Sequence, residues 1–209
     1  MSKIMGKEEW LLEDFRQRRA AILAHQREQQ RLISFSLLAV GGAGALLGTL
    51  ALKEHPYTGI VALSIALFLL FLAITYLRYT LVILYNAEYI QKTIRNYLAK
   101  TYEYGNLLGW ETFFYRKKAR MGKRPRFKIL FLLREAFRWF PLAVLYVLFL
   151  SFGCGTLRFS AGTLPIVVFL LTANLLGLYL LGRLIKEVYT EESLLLKLST
   201  GFDDKLTRN

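Results

Sequence analysis

The stretch LISFSLLAVGGAGALLGTLAL, Leu32 to Leu52, holds no charged residue, and after three residues PYTGIVALSIALFLLFLAITYL, Pro56 to Leu77, holds none either. A bilayer core of about 30 Å is crossed by about 20 apolar residues in helical form, and each stretch has that length. Two further charge-free runs, Trp139 to Leu157 and Phe159 to Gly182, repeat the pairing. The expectation is an all-α integral membrane protein whose four transmembrane helices form two hairpins, with helical cytoplasmic extensions. Its parts are a head (1–31), a first hairpin (32–77), a basic central segment (78–138), a second hairpin (139–182) and a tail (183–209).

The charge distribution orients this layout. Of 28 Lys and Arg residues, seven precede the first run, fourteen lie between Arg78 and Arg138, and five come after the last run. The short connectors carry only Lys53 and Arg158. Lys and Arg are retained on the cytoplasmic side of short loops, which places both termini and the central segment inside the cell, at an inner (plasma) membrane. A net charge of +13 is then explained by insertion and anionic-lipid contact rather than by nucleic-acid binding. The head is charged and the first run has no cleavage-like end, so an uncleaved signal-anchor is expected. Cys154 is the lone cysteine; it allows no intrachain disulfide and reads as a small packing residue.

The head has helical periodicity, with Trp10, Leu11, Phe15 and Ile22 alternating with charges of both signs. Its apolar face suits a membrane surface, the cytoplasmic segment or a neighbouring subunit. With no Gly or Pro from Ala20 to Arg31, the helix is expected to enter the first run directly. That run contains Gly41, Gly42, Gly44 and Gly48, and Gly44-Ala-Leu-Leu-Gly48 is a G-x-x-x-G pattern that lets two helices approach closely. The partner is either another span of this chain or the same helix of a second copy. Pro56 suits the first turn of the second helix, whose pattern continues past Arg78 toward a stop at Gly105-Asn106. Thr163 and Pro165 fit the start of the fourth helix.

Within thirteen residues the central segment gathers Arg116, Lys117, Lys118, Arg120, Lys123, Arg124, Arg126 and Lys128, just after Trp110, Phe113 and Phe114. Cations beside aromatics next to a membrane suit anionic lipid heads; an acidic face of a soluble partner is the second reading, and nucleic acid is the least favoured.

No span contains Asp, Glu, Lys or Arg, which argues against ion-coupled transport. Two His and one Cys supply no usual zinc set, and neither a phosphate loop nor a nucleophile elbow occurs. No cofactor and no catalytic residue are assigned; Glu88, Glu103 and Glu111 read as solvated or ion-paired helix charges rather than acid/base groups. Among the few polar span residues, Asn174 lies near mid-depth of the fourth run. An amide in hydrocarbon seeks an interhelical partner, so Asn174 is either a clasp to another span or a lining residue in an oligomer.

Tyr89-Ile90, Tyr97-Leu98 and Leu107-Leu-Gly-Trp-Glu111 together resemble a pattern of uncharacterised small bacterial inner-membrane proteins, in which a helix leaving a transmembrane hairpin ends in an L-G-W-E turn. In size and layout the chain also looks like compact multi-pass effectors and sensors of bacterial defence systems. That likeness implies a non-enzymatic homo-oligomer acting as a channel-like or membrane-perturbing effector controlled from its cytoplasmic side. The alternative expectation is a scaffold that recruits a soluble partner through the basic segment.

Overall fold

The computed structural model describes residues 6–53, 55–95, 97, 143–157 and 162–206. The described residues contain no strand. Helix α1 is Lys7–Leu52 and α2 is Thr58–Tyr89, the latter continued by a π-helical turn, Ile90–Arg95. Helix α3 is Ala143–Gly155 and α4 is Leu164–Leu206. Helices α1, α2 and α4 are long and apolar enough to cross a membrane; α3 is shorter over the described residues. The expected stop at Gly105-Asn106 and the start of the third run at Trp139 lie outside the described residues.

In apolar surroundings every backbone N–H and C=O must find its partner within the segment, and a helix does this. The ends obey local chemistry. The Gly6 carbonyl accepts the Trp10 N–H at 3.1 Å to open α1, which then runs unbroken through 46 residues into the glycine-rich stretch. Its end closes with the Leu50 carbonyl accepting the His55 N–H at 3.0 Å. At the start of α2 the Thr58 hydroxyl and N–H both donate to the His55 carbonyl, at 2.6 and 3.1 Å. The Thr163 carbonyl accepts the Val167 N–H at 3.0 Å, so Thr163 and Pro165 open α4 as their positions imply.

The chain divides into two compact units. One comprises Gln29–Arg78 and Leu133–Lys186. Its helices approach most closely where α2 or a neighbour carries glycine. A Cβ built on Gly59 would lie 2.9 Å from the Gly153 carbonyl oxygen, and one on Gly153 would lie 3.0 Å from the Leu63 side chain. On α4, a Cβ at Gly177 would run into the Leu70 side chain. Ala66, Leu70 and Tyr146 form the core there, flanked by Ile74, Phe149, Leu150 and Leu181. Helix α1 packs through its other side: Phe35 meets Phe68 edge-on at 6.2 Å, Ser36 is buried, and the Gln29 amide donates to the Tyr76 carbonyl at 3.4 Å.

The other unit comprises Met1–Glu28, Tyr79–Leu132 and Glu187–Asn209. Within this unit the head packs on the chain's own second helix. Leu11, with Phe15 and Ile22, packs against Ile90 and Ile94, joined by Tyr89 and Tyr97. Val188 of α4 covers Leu84 and Ala87.

The glycines of α1 are not the ones that pack within the described chain. No described atom of another element comes within 4 Å of a Cβ built at Gly41, Gly42, Gly44 or Gly48. Close intrachain packing is done by Gly59, Gly153 and Gly177; the α1 glycines face outward because α1 meets α2 through Phe35, on its opposite side. Accordingly Gly153→Leu is expected to cost about 1–3 kcal/mol or more through overpacking. Gly44→Ala should leave the fold intact and gain about 0.5–1 kcal/mol of helix propensity. Thermal unfolding of both variants in nanodiscs checks the contrast.

Candidate functional site

The candidate positions fall into three groups. The first is the outward face of α1. Gly41, Gly44 and Gly48 recur at helical spacing and share one side with exposed Leu37, Leu38 and Leu52. A face with no Cβ lets another helix backbone approach within hydrogen-bonding distance of its Cα–H groups, which is how small residues drive association in lipid.

The second group is the polar residues among the apolar helices. Asn174 is 2% exposed and faces α2. Its amide N–H donates to the Leu170 carbonyl at 2.8 Å and reaches the Leu63 carbonyl of α2 at 3.5 Å. Its carbonyl oxygen is buried and finds no partner among the described residues, and the same is true of the Tyr146 hydroxyl. Both lie against one stripe of α2, since Leu63, Ala66 and Leu70 are spaced three and four apart. Sequence reading marked Asn174 and missed Tyr146. A tyrosine in an apolar run signals an interfacial anchor as readily as a buried hydroxyl, and only packing separates the two.

The third group is polar and lies in the unit formed by the head and the ends of α2 and α4. Arg18 is its centre on α1. The guanidinium donates to Asp14 at 3.1 Å and to the Asn86 carbonyl oxygen at 3.3 Å, and stacks over the Tyr89 ring at 3.5 Å. Such a planar cation offers five donors and an aromatic-compatible face, so one side chain engages three partners. His25 meets Tyr79 at a ring separation of 5.4 Å.

Beyond the apolar runs, the Tyr85 hydroxyl of α2 donates to Glu187 of α4 at 2.6 Å, and within the second helix Lys92 pairs with Glu88. The Tyr85 hydroxyl is pushed up to about 12, first by that bond to Glu187, then by burial and by the charges of Glu187, Glu191 and Glu88. Burial raises the Glu191 carboxyl above its ordinary value, helped by the charge of Glu88 and a hydrogen bond to it, while Lys92 opposes the shift. Among the described residues no three His, Cys, Asp or Glu side chains converge to hold a metal ion. Glu88 is engaged by Lys92 and Glu191. The lipid- or partner-binding candidates Trp110, Phe113, Phe114, Arg116, Lys117, Lys118, Arg120, Lys123, Arg124, Arg126 and Lys128 lie outside the described residues, as does Glu111.

Comparison of the chain with protein-family models, with curated proteins and with solved structures finds no match.

Two outcomes are expected. Asn174→Leu should lower stability in nanodiscs by about 0.6–2 kcal/mol, the range of interhelical polar contacts in lipid. Glu191→Gln tests the acidic contact by its pH dependence. A carboxyl raised in the folded state binds its proton more tightly than in the unfolded chain, so folded stability falls as pH rises through the window above the ordinary carboxylate value. The Gln variant should therefore be the more stable protein at pH 7–8 and lose that advantage under acid conditions, as read by thermal melts across pH.

Proposed function

We propose that this protein is a non-enzymatic, multi-pass component of the bacterial inner membrane, with both termini cytoplasmic, that self-associates through α1 and perturbs or opens the membrane under control of its cytoplasmic part. The observation that carries this reading is the open glycine face of α1. Gly41, Gly44 and Gly48 are spent at a position where no described part of the same chain approaches. Glycine weakens a helix by about 0.5–1 kcal/mol relative to alanine, and a close second helix offsets that weakness. A second copy of the chain supplies such a helix with no other partner required.

The absence of Asp, Glu, Lys and Arg from the four apolar runs favours a passage closed by dewetting over one lined by charged rings. The two hairpins and the cytoplasmic placement of the basic segment rest on the distribution of Lys and Arg. The bacterial-defence setting rests on the resemblance in size and layout to membrane effectors. A second reading, a scaffold that recruits an acidic soluble partner, is favoured by one specific observation: eight cations within Arg116–Lys128, a density beyond what orientation of a short loop requires.

Imaging or mass measurement of the protein in native-lipid nanodiscs should show a symmetric oligomer, and induced expression should collapse membrane potential. Gly44→Leu with Gly48→Leu should abolish both while leaving the monomer folded. A monomeric protein whose induction leaves the potential untouched would remove this reading. Charge reversal at Arg116, Lys117, Lys118 and Arg124 separates the second: loss of partner capture with intact assembly would assign the segment to recruitment.

A further inference from the structure

The head helix does more than cover an apolar surface, because the segment it covers is not α-helical. At Ile90–Arg95 the second helix widens into a π turn. A π turn places one more residue in each hydrogen-bonded ring than an α turn and has poorer geometry, so it persists where other contacts hold it and is concentrated at working positions in proteins. Here the contacts are identifiable. Ile90, the first residue of the turn, is fully buried, and Ile94 is 3% exposed; both pack on Leu11 of the head. The guanidinium of Arg18 sits over Tyr89, the residue immediately before the turn, and donates to Asn86 one turn earlier. The head therefore grips α2 on the turn and on the residues leading into it. Lys92 and Thr93, on the side away from the head, are exposed.

We infer that Ile90–Arg95 is a register switch held by the head: docking of Leu11 and Arg18 keeps the turn in π geometry, and release of the head lets it relax to an α-helix. The relaxation removes one residue from the turn's register. The chain beyond the turn is then rotated by one helical position, about 100°. The inference stands apart from pore formation, since it concerns only the head and the end of α2.

The test uses full-length protein in nanodiscs, with the exposed Cys154 replaced by serine. Spin labels are placed at Arg95→Cys, the last residue of the turn, and Tyr189→Cys, which is exposed on α4. The distance between them is read by double electron–electron resonance. Deleting Thr93 removes the extra residue, so an α turn forms with the position beyond it left in its native register; Leu11→Ala with Arg18→Ala releases the head without touching the turn. The expected result is the native distance in the deletion variant, a single different distance in the head-release protein, and a return to the native distance when the two changes are combined. An unchanged distance in the head-release protein would overturn the inference, because the turn would then be a fixed kink. A broadened distribution, or a shift that persists when Thr93 is also deleted, would overturn it as well, by showing general loosening instead of a register change. Should the deletion variant aggregate, the head-release protein decides alone: a narrow shifted distance supports the switch, and an unshifted or broad one removes it. Membrane potential plays no part in this readout, so failure here and failure of the proposed function are separable.

Discussion

The second helix is the surface on which the other elements are organised, and close approach to it is the constraint that governs the described packing. Half of its most apolar stretch is buried, against 11% for α1 and 22% for α4. Helices that meet through apolar surfaces gain contact according to how near their two backbones can come. Gly59, Gly153 and Gly177 set those distances. With Gly59 against the Gly153 carbonyl and Gly177 against Leu70, α3 and α4 lie close enough to α2 for Tyr146 and Asn174 to be buried against it.

That closeness also explains the polar chemistry. An amide among apolar helices turns its N–H group toward carbonyls of its own helix and of α2, leaving its oxygen facing inward. Beyond the apolar runs, polar and charged contacts join the apolar ones. There Arg18, Asp14, Asn86 and Tyr89 share one network, while Tyr85, Glu88, Lys92, Glu187 and Glu191 form another. Cation, carboxylate and phenol do between these helix ends what glycine and leucine do within the apolar stretches. The head, α2 and α4 thus use two different kinds of glue along their lengths.

Periodicity and charge exclusion made the long helices legible. Unbroken apolar length marked α1, α2 and α4, and the lack of Gly or Pro between Ala20 and Arg31 marked the passage from head to apolar run as continuous. Thr163 and Pro165 marked the start of α4 through the chemistry of a helix start. The π turn was illegible, because Ile90 and Ile94 are four apart and satisfy an α pattern equally well. The glycines show the same limit in sharper form. Four in one helix drew attention to α1, yet the three that set intrachain contacts stand singly, at Gly59, Gly153 and Gly177, in runs where nothing local distinguishes them.

The amino-acid sequence by itself determined the set of long helices, where they are apolar and which segments carry charge. These depend on local hydrogen bonding and on the cost of placing charge in apolar surroundings, both properties of a residue and its near neighbours. Tertiary structure alone decided which glycine faces a partner, that the head packs on Ile90 and Ile94, and that Tyr146 is buried while Trp10 is 54% exposed. The reason is rotational. A helix presents a full circle of side chains, and only contact with another helix selects which side becomes the inside.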